Sequence, residues 1–261
     1  MSDNGVTVSL SKEDRIRTTG SRGNQTKWYK DGFWYKADFL GYEGLSEHIC
    51  SLLLGSSNIQ NFVTYTPIKI NEIDSNNSFV GCMSADFGTF VTGEIILLHL
   101  PEEYNVFLNP NGSLEKDLSV LCEGIMEVFQ VDILKELTMM LQFDLIVGNE
   151  DRILRNFGLK QVEDQYSFAP MFDHGLSLLA NTATVDRYED IEDIIYHPFN
   201  YERARGDGLS TLKLAPLVID HKRFESDIKN IPVYSKQLVD TVIGILRQSL
   251  EETEGKLWVR L

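Results

Sequence analysis

Residues 148–158 of the sequence are GNEDRILRNFG, and residues 171–175 are MFDHG. Asp151 and Asn156 stand five positions apart in the first stretch, and the second contains a D-x-G triplet that begins at Asp173. These intervals are the ones at which phosphoryl-transfer sites place a catalytic base, a metal-binding amide and a metal-binding carboxylate. We therefore predict that Asp151 is a catalytic base and that Asn156 and Asp173 are ligands of Mg²⁺.

The D-x-x-x-x-N pattern alone is weak, because Asp and Asn are common in turns, where their side chains bond nearby backbone. Its surroundings strengthen it. Two β-type runs, 156–162 and 166–172, flank a short turn and predict a hairpin that brings Asn156 and Asp173 together. Before the loop, a long apolar stretch has helical spacing and ends near Gly148. Its apolar residues are Leu118, Leu121, Ile125, Phe129, Leu134, Leu137, Met140 and Leu141.

The N-terminal part supplies features expected of a phosphate-binding site. Residues 18–26, TTGSRGNQT, are rich in Gly and small polar residues, which let backbone N–H groups approach phosphate. A strand near residues 6–10 precedes this loop, and Asp31-Gly32 predicts a hairpin between the strands 27–30 and 33–37. We expect this loop to contact ATP through Gly20, Ser21, Gly23 and Gln25.

Lys36, on the third predicted strand, is the candidate for holding the α- and β-phosphates, with Lys27 and Lys30 as alternatives. A catalytic lysine of this kind pairs with a Glu on the following helix, which we predict at residues 46–54. Glu47 lies inside the periodic segment and is preferred. Glu43 is the alternative, although a carboxylate at a helix start is also explained by the helix dipole.

These elements predict an α+β, two-lobed fold like that of protein kinases. Residues 1–90 would form a β-rich, nucleotide-binding lobe with one helix, and residues 91–261 a mainly helical catalytic lobe. Residues 78–83 predict a strand that leads to the connection between the lobes. The backbone of Met83, Ser84 and Ala85 would then contact the adenine, and an ordinary edge strand is the alternative interpretation.

Several motifs together resemble the HipA-like family of bacterial serine/threonine kinases, over residues 18–176. They are G-x-Q-x-K at 23–27, Lys36, the Ser46-Glu47 helix start, N-x-D-R-x-x-x-N-F at 149–157 and A-P-x-x-D at 169–173. The resemblance implies a two-lobed kinase, ATP with Mg²⁺, and the roles given above to Asp151, Asn156 and Asp173. It also implies autophosphorylation in the Gly-rich loop, at Thr19 or Ser21, which would eject the loop and switch the enzyme off. A toxin–antitoxin pair, with a small DNA-binding antitoxin as partner, follows from the same resemblance.

The sequence departs from the family pattern in three ways. Ile153 stands where members usually have His, and Arg155 stands where they have a small residue. Arg155 would add a positive charge close to the γ-phosphate. The chain is also shorter than members that carry an additional N-terminal subdomain, so we expect a minimal kinase core.

Composition limits the partners. The 261 residues contain 24 Lys and Arg against 39 Asp and Glu, a net charge of −15, which disfavours direct binding to nucleic acid or anionic lipid. No apolar run approaches membrane-spanning length, and the first residues lack the features of a signal peptide. The three cysteines are widely spaced and show no metal-ligand pattern. We therefore expect a cytoplasmic protein that contacts neither membrane nor nucleic acid.

The function predicted from the sequence is an ATP-dependent serine/threonine protein kinase that transfers the γ-phosphoryl group to a protein hydroxyl. A phosphoinositide or lipid kinase is an alternative, because such enzymes can share the two motifs. A nucleotide-binding pseudokinase that acts as an interaction module is another, although a binding module does not need the base Asp151.

Overall fold

The computed structural model of the chain describes residues 5–16, 25–104, 114–149, 151–181 and 216–261. Within these ranges the chain has an α+β fold, with a large sheet in its N-terminal part and most of its helices in its C-terminal part. None of the helices in the described ranges combines the length and apolar character needed to cross a membrane.

A six-stranded sheet forms the N-terminal part, with the strand order β1-β5-β6-β4-β3-β2. β1 pairs in parallel with β5, and the other neighbours are antiparallel. One face of the sheet buries an apolar cluster that includes Trp28, Tyr35 and Ile68. The strands are β1 Val6–Leu10, β2 Arg15–Ile16, β3 Lys27–Lys30, β4 Phe33–Ala37, β5 Thr66–Glu72 and β6 Asn77–Ala85.

The hairpin predicted at Asp31-Gly32 is confirmed, with φ angles of 51° and 80° at the two turn residues. Positive φ at both central positions is what the tight hairpin turn requires. The prediction that β1 precedes the Gly-rich loop directly was wrong. The short strand β2 lies between them and pairs with β3, whereas β1 lies at the opposite edge of the sheet. Lys36 therefore lies on β4, not on a third strand.

Helix α1 (Glu43–Gly55) follows β4 and packs against β5 and β6. The prediction put its start at residue 46 and left Glu43 in the preceding turn, but the helix begins at Glu43. The Glu43 carboxylate accepts backbone N–H bonds from Phe39, Leu40 and Gly41, so it fixes the turn that leads into the helix. Glu47 lies one turn further on.

The apolar stretch that precedes residue 148 forms two helices, α3 (Leu114–Phe129) and α4 (Leu134–Val147). The break falls at Gln130, which has a φ of 56°. Its side-chain amide donates to the carbonyls of Met126 and Glu127 and so caps the end of α3. The Asp132 carboxylate then accepts the N–H of Leu134 at the start of α4.

Smaller elements complete the C-terminal part. The strands β7 (Val91–Thr92), β8 (Gly158–Val162) and β9 (Gln165–Phe168) form an antiparallel sheet, so the predicted hairpin is present. The remaining elements are α2 Gly93–His99, short 3-10 turns at Glu102–Tyr104 and Leu154–Asn156, β10 Leu217–Ile219, α5 His221–Asp227, α6 Lys236–Thr253 and β11 Trp258–Arg260. A large apolar core joins these helices to α1.

Asp38 links the N-terminal part to the C-terminal helices. Its Oδ1 accepts the N–H of Gly44 at 2.6 Å, and its Oδ2 accepts the hydroxyl of Tyr234, which precedes α6, at 2.8 Å. Burial raises the pKa of Asp38 to about 7, because the two hydrogen bonds only partly replace the water it loses.

We expect Asp38 to make stability depend on pH. Its folded-state pKa lies above its unfolded value, so its stabilising contribution is present at low pH and is lost as the pH rises through 7. Asp38→Asn stays neutral. Relative to the wild type, the free energy of unfolding of the variant should therefore rise by on the order of 2 kcal/mol between pH 5 and 8, as measured by thermal melts. Asp240→Asn, on an exposed face of α6, is the control without this shift. A stability difference for Asp38→Asn that is independent of pH would contradict the assignment.

Candidate active site

Lys36 lies between two carboxylates from separate parts of the chain. Its Nζ is 2.7 Å from Oε1 of Glu47 on α1 and 2.6 Å from Oδ1 of Asp173. Because side chains alternate along β4, Lys36 points away from the Trp28 and Tyr35 cluster and toward α1. The structure thus brings together three residues that the sequence predicted to act together.

The charges of Lys36 and Asp173 stabilise each other, whereas burial raises the pKa of Glu47 despite the nearby Lys36. Burial lowers the pKa of Lys36, but Asp173 and Glu47 outweigh burial and hold that pKa well above its ordinary value. Burial also opposes ionisation of Asp173, yet Lys36 and the nearby Lys27 hold its pKa well below its ordinary value. At neutral pH the lysine is therefore a cation and Asp173 is an anion.

The segment after Asp173 is fastened to α1. The N–H of His174 donates to Oε2 of Glu47 at 2.8 Å, so Glu47 binds Lys36 with one oxygen and the Asp173 segment with the other. One residue earlier on α1, the hydroxyl of Ser46 lies 2.9 Å from the carbonyl oxygens of both His174 and Ser177. The position of α1 therefore determines the position of the Asp173 carboxylate.

The loop that carries Asp151 begins where α4 ends at Gly148, whose φ of 62° is typical of a helix C-terminus. The amide of Asn149 donates to Asp144 on α4 at 2.9 Å and accepts the N–H of Asp151 at 3.1 Å. The amide of Asn156 donates to the carbonyl of Asp151 at 2.8 Å, which closes the loop on itself. These hydrogen bonds fix the backbone of Asp151 and hold the side chain of Asn156 against it.

A cleft adjoins these groups, although Lys36 and Asn156 are not among the residues that line it. Asp151 and Asp173 line it together with Glu47 and Lys27. Lys27 lies opposite Lys36 in the β3–β4 ladder, and burial lowers its pKa. The other residues that line the cleft are Gln25, Leu40, Glu43, Gly175 and Leu176. Lys27, two aspartates and two glutamates thus line a space that a phosphate chain could enter, and Lys36 contacts two of these lining residues, Glu47 and Asp173.

The structure shows which of the other charged candidates lie at the cleft and which do not. Lys30 lies away from this cleft, with its Nζ 3.5 Å from Asp14. Arg155 was predicted to add charge near the γ-phosphate, but its Nε lies 2.8 Å from both carboxylate oxygens of Glu94 on α2. Glu43 lines the cleft, but its carboxylate is occupied by three backbone N–H groups.

The predicted adenine-contacting backbone lies at the end of β6. The side chain of Met83 packs against the apolar cluster on the far face of the sheet, so only its backbone could face a base. Met83 is the last β6 residue paired with β5, whereas Ser84 and Ala85 pair with β4 alone. Beyond them, the ring of Phe87 packs at a tilt of 43° against that of Phe172, the residue before Asp173, with the ring centroids 5.3 Å apart.

The predicted contacts of the Gly-rich loop fall mostly outside the described residues. Thr19, Gly20, Ser21 and Gly23 all belong to the undescribed range 17–24. Gln25, the first described residue of the loop, does line the cleft.

The chemistry of the two predicted ligands suits a magnesium ion. Asn156 uses its amide nitrogen for the Asp151 carbonyl, which leaves the amide oxygen as a ligand. Asp173 uses Oδ1 for Lys36 and retains Oδ2. Mg²⁺ is usually held by one or two such side chains, with phosphate oxygens and water completing its shell.

Three buried polar residues lie beside these ligands without a catalytic or binding role in the sequence prediction, Asp144, Arg152 and His174. Asp144 and Arg152 form an ion pair with Nε 2.7 Å from Oδ2. Arg152 also contacts the ring of His174, with Nη2 3.0 Å from Nε2. A signal was present for Asp144, because a lone carboxylate inside the apolar run of α4 requires a buried partner.

The sequence matches no protein-family model, and no curated protein matches it significantly. The crystal structure of a Helicobacter pylori proinflammatory kinase, CtkA, is similar in fold, with a TM-score of 0.58, 15% identity and 94% of each chain covered. A structure of the GDP and kanamycin complex of APH(2")-IIia gives a TM-score of 0.31 with 11% identity over 91% of this chain and 93% of that chain, too low to support an argument. The predicted two-lobed, kinase-like α+β fold is therefore confirmed, whereas the HipA-like assignment stays a prediction.

Proposed function

We propose that the chain is an ATP-dependent kinase that transfers the γ-phosphoryl group to a hydroxyl of a protein. The observation that carries this proposal is Lys36, bound at once to Glu47 of α1 and to Asp173. In protein kinases the same trio of lysine, helix glutamate and D-x-G aspartate must be assembled before transfer can occur. Charged groups whose pKa values are strongly shifted by burial and by one another cluster at functional sites.

Each residue has a distinct role in this proposal. Lys36 and Lys27 bind the phosphate oxygens of ATP. Asp151 orients the attacking hydroxyl and accepts its proton. Asn156 and Asp173 hold Mg²⁺, which when bound supplies positive charge that offsets the negative charge of the phosphates. The catalytic power then comes from positioning and electrostatics, since the protein forms no covalent bond to the phosphoryl group.

A protein acceptor is favoured over a lipid by charge. With a net charge of −15, the chain would be repelled by an anionic membrane surface. The presence of Asp151 in the cleft favours an enzyme over a pseudokinase that only binds nucleotide. Transfer from [γ-³²P]ATP to casein, compared with transfer to phosphoinositide vesicles, distinguishes the two acceptors, and Asp151→Asn is the matched inactive variant.

Asp151→Ala and Asp173→Ala should both abolish transfer, but for different reasons. Loss of Asp173 removes a metal ligand, so we expect the affinity for Mg²⁺-ATP to fall by about tenfold or more. Loss of Asp151 removes the base and should leave that affinity within about twofold of the wild type. Calorimetric titration measures both. If Asp151→Ala lost nucleotide binding while Asp173→Ala retained it, the two roles would have to be exchanged.

We also propose that the Gly-rich loop regulates the enzyme by autophosphorylation. This idea rests on the HipA-like resemblance and on the loop chemistry. A phosphate adds roughly −1.5 to −2 charges, and on Thr19 or Ser21 it would lie near the phosphates of ATP and repel them. A toxin–antitoxin partnership rests on the same resemblance alone. A neighbouring gene that encodes a helix-turn-helix protein would support it.

Incubation with Mg²⁺-ATP should add one phosphate to the wild type, seen by intact-mass spectrometry and mapped to Thr18, Thr19, Ser21 or Thr26. Asp151→Asn should gain none. The modified protein should bind ATP more weakly, because like charges repel. Undiminished affinity would refute the inhibitory role, and the absence of phosphate from every loop residue would refute the whole idea.

A further inference from the structure

A buried arginine joins the two segments that carry the proposed metal ligands. Arg152 is 2% exposed, and its Nη1 donates to the carbonyl oxygen of Asn156 at 2.5 Å and to that of Phe172 at 2.8 Å. The first carbonyl belongs to the residue that provides the amide ligand. The second belongs to the residue that immediately precedes Asp173. One guanidinium group therefore fixes the distance between both segments.

Every N–H of this guanidinium has an acceptor. Nε and Nη2 donate to Oδ2 and Oδ1 of Asp144 at 2.7 and 3.0 Å, and Nη2 also donates to Nε2 of His174 at 3.0 Å. Together with the two carbonyls, these acceptors account for the five donors that an arginine carries. A guanidinium group with all its donors bonded has a single orientation, and the negative charge of Asp144 compensates its positive charge.

The ring of His174 accepts one of these bonds, with its Nε2 3.0 Å from Nη2 of Arg152. Arginine has only donors, which requires Nε2 of His174 to be the unprotonated nitrogen. His174 is thus part of the support for Arg152 and not a proton donor to the reaction.

Asp173 needs such support because its backbone is strained. Its φ of 62° lies in the left-handed region, which residues other than glycine rarely adopt. Three hydrogen bonds from different elements hold it there. Arg152 binds the carbonyl before Asp173, the hydroxyl of Tyr65 accepts the N–H of Asp173 at 3.3 Å, and Glu47 accepts the N–H that follows. Of these three, Arg152 is the one that also holds Asn156.

We propose that Arg152 is the positioning residue for both metal ligands, setting the conformation of Asp173 and its distance from Asn156. The proposal rests on the proposed function, because it concerns the same Mg²⁺ site. Arg152 itself is buried and is not among the residues that line the cleft. Its proposed effect is to set the distance between the oxygen ligands of Asn156 and Asp173, so that both can bind the same metal ion.

The variant Arg152→Lys tests this role. Lysine keeps the charge but has three donors and no planar fork, so at least two of the five acceptors lose their partner. We expect the Mg²⁺ concentration that half-saturates binding of a non-hydrolysable ATP analogue to rise by about 10- to 100-fold. Affinity for the analogue without Mg²⁺ should change by less than about twofold. Both are measured by calorimetry, so the test does not depend on activity.

Arg247→Lys is the matched control. Arg247 binds Glu225 through Nε and Nη2, at 2.9 and 2.6 Å, but on an exposed surface of α6. Its replacement should leave the Mg²⁺ dependence unchanged. If Arg152→Lys has no cooperative melting transition, the double variant Asp144→Asn/Arg152→Gln takes its place, because two amides leave no unpaired buried charge. The same rise in the Mg²⁺ requirement is expected.

The outcomes separate this proposal from the function on which it rests. A variant that melts at a lower temperature but keeps the wild-type Mg²⁺ dependence would show that Arg152 only stabilises the fold, and the proposed kinase activity would stand. A wild type whose binding of the analogue does not depend on Mg²⁺ would overturn both.

Discussion

The candidate active site depends on one electrostatic constraint, the pairing of Lys36 with Glu47 and Asp173. Burying an ammonium group without an anionic partner costs about several kcal/mol, unless the group loses its charge. The same holds for two buried carboxylates without a cation. The three residues come from β4, from α1 and from the segment after β9. Satisfying their charges therefore forces the sheet, the helix and the D-x-G segment into contact, and the cleft forms at that point.

Behind this cluster, hydrogen bonds convert the contact into a defined geometry. Glu47 binds both Lys36 and the N–H of His174, so α1 orients the lysine and the Asp173 segment together. On the other side, Arg152 holds the segments of Asn156 and Asp173. The proposed catalytic and metal-binding groups are thus held by buried neighbours, which is how a site keeps its reacting groups aligned without help from the substrate.

Features with a local physical cause could be predicted from the sequence. The turn at Asp31-Gly32, the end of α4 at Gly148 and the β8–β9 hairpin follow from the conformations that short stretches prefer. The parallel pairing of β1 with β5 could not, because a pattern of alternation does not specify a distant partner strand. The break at Gln130 was also missed, since apolar spacing continues across it. Likewise, no local rule reveals that Arg152 meets carbonyls 4 and 20 residues away.

The central claim is that Lys36, Asn156 and Asp173 form one binding site for Mg²⁺ and a nucleoside triphosphate. A crystal structure with Mg²⁺ and a non-hydrolysable ATP analogue tests it most directly. The account predicts phosphates in contact with Lys36 and a metal ion bound by the amide oxygen of Asn156 and the carboxylate of Asp173. A nucleotide bound outside this cleft, or a metal ion held by neither residue, would contradict it.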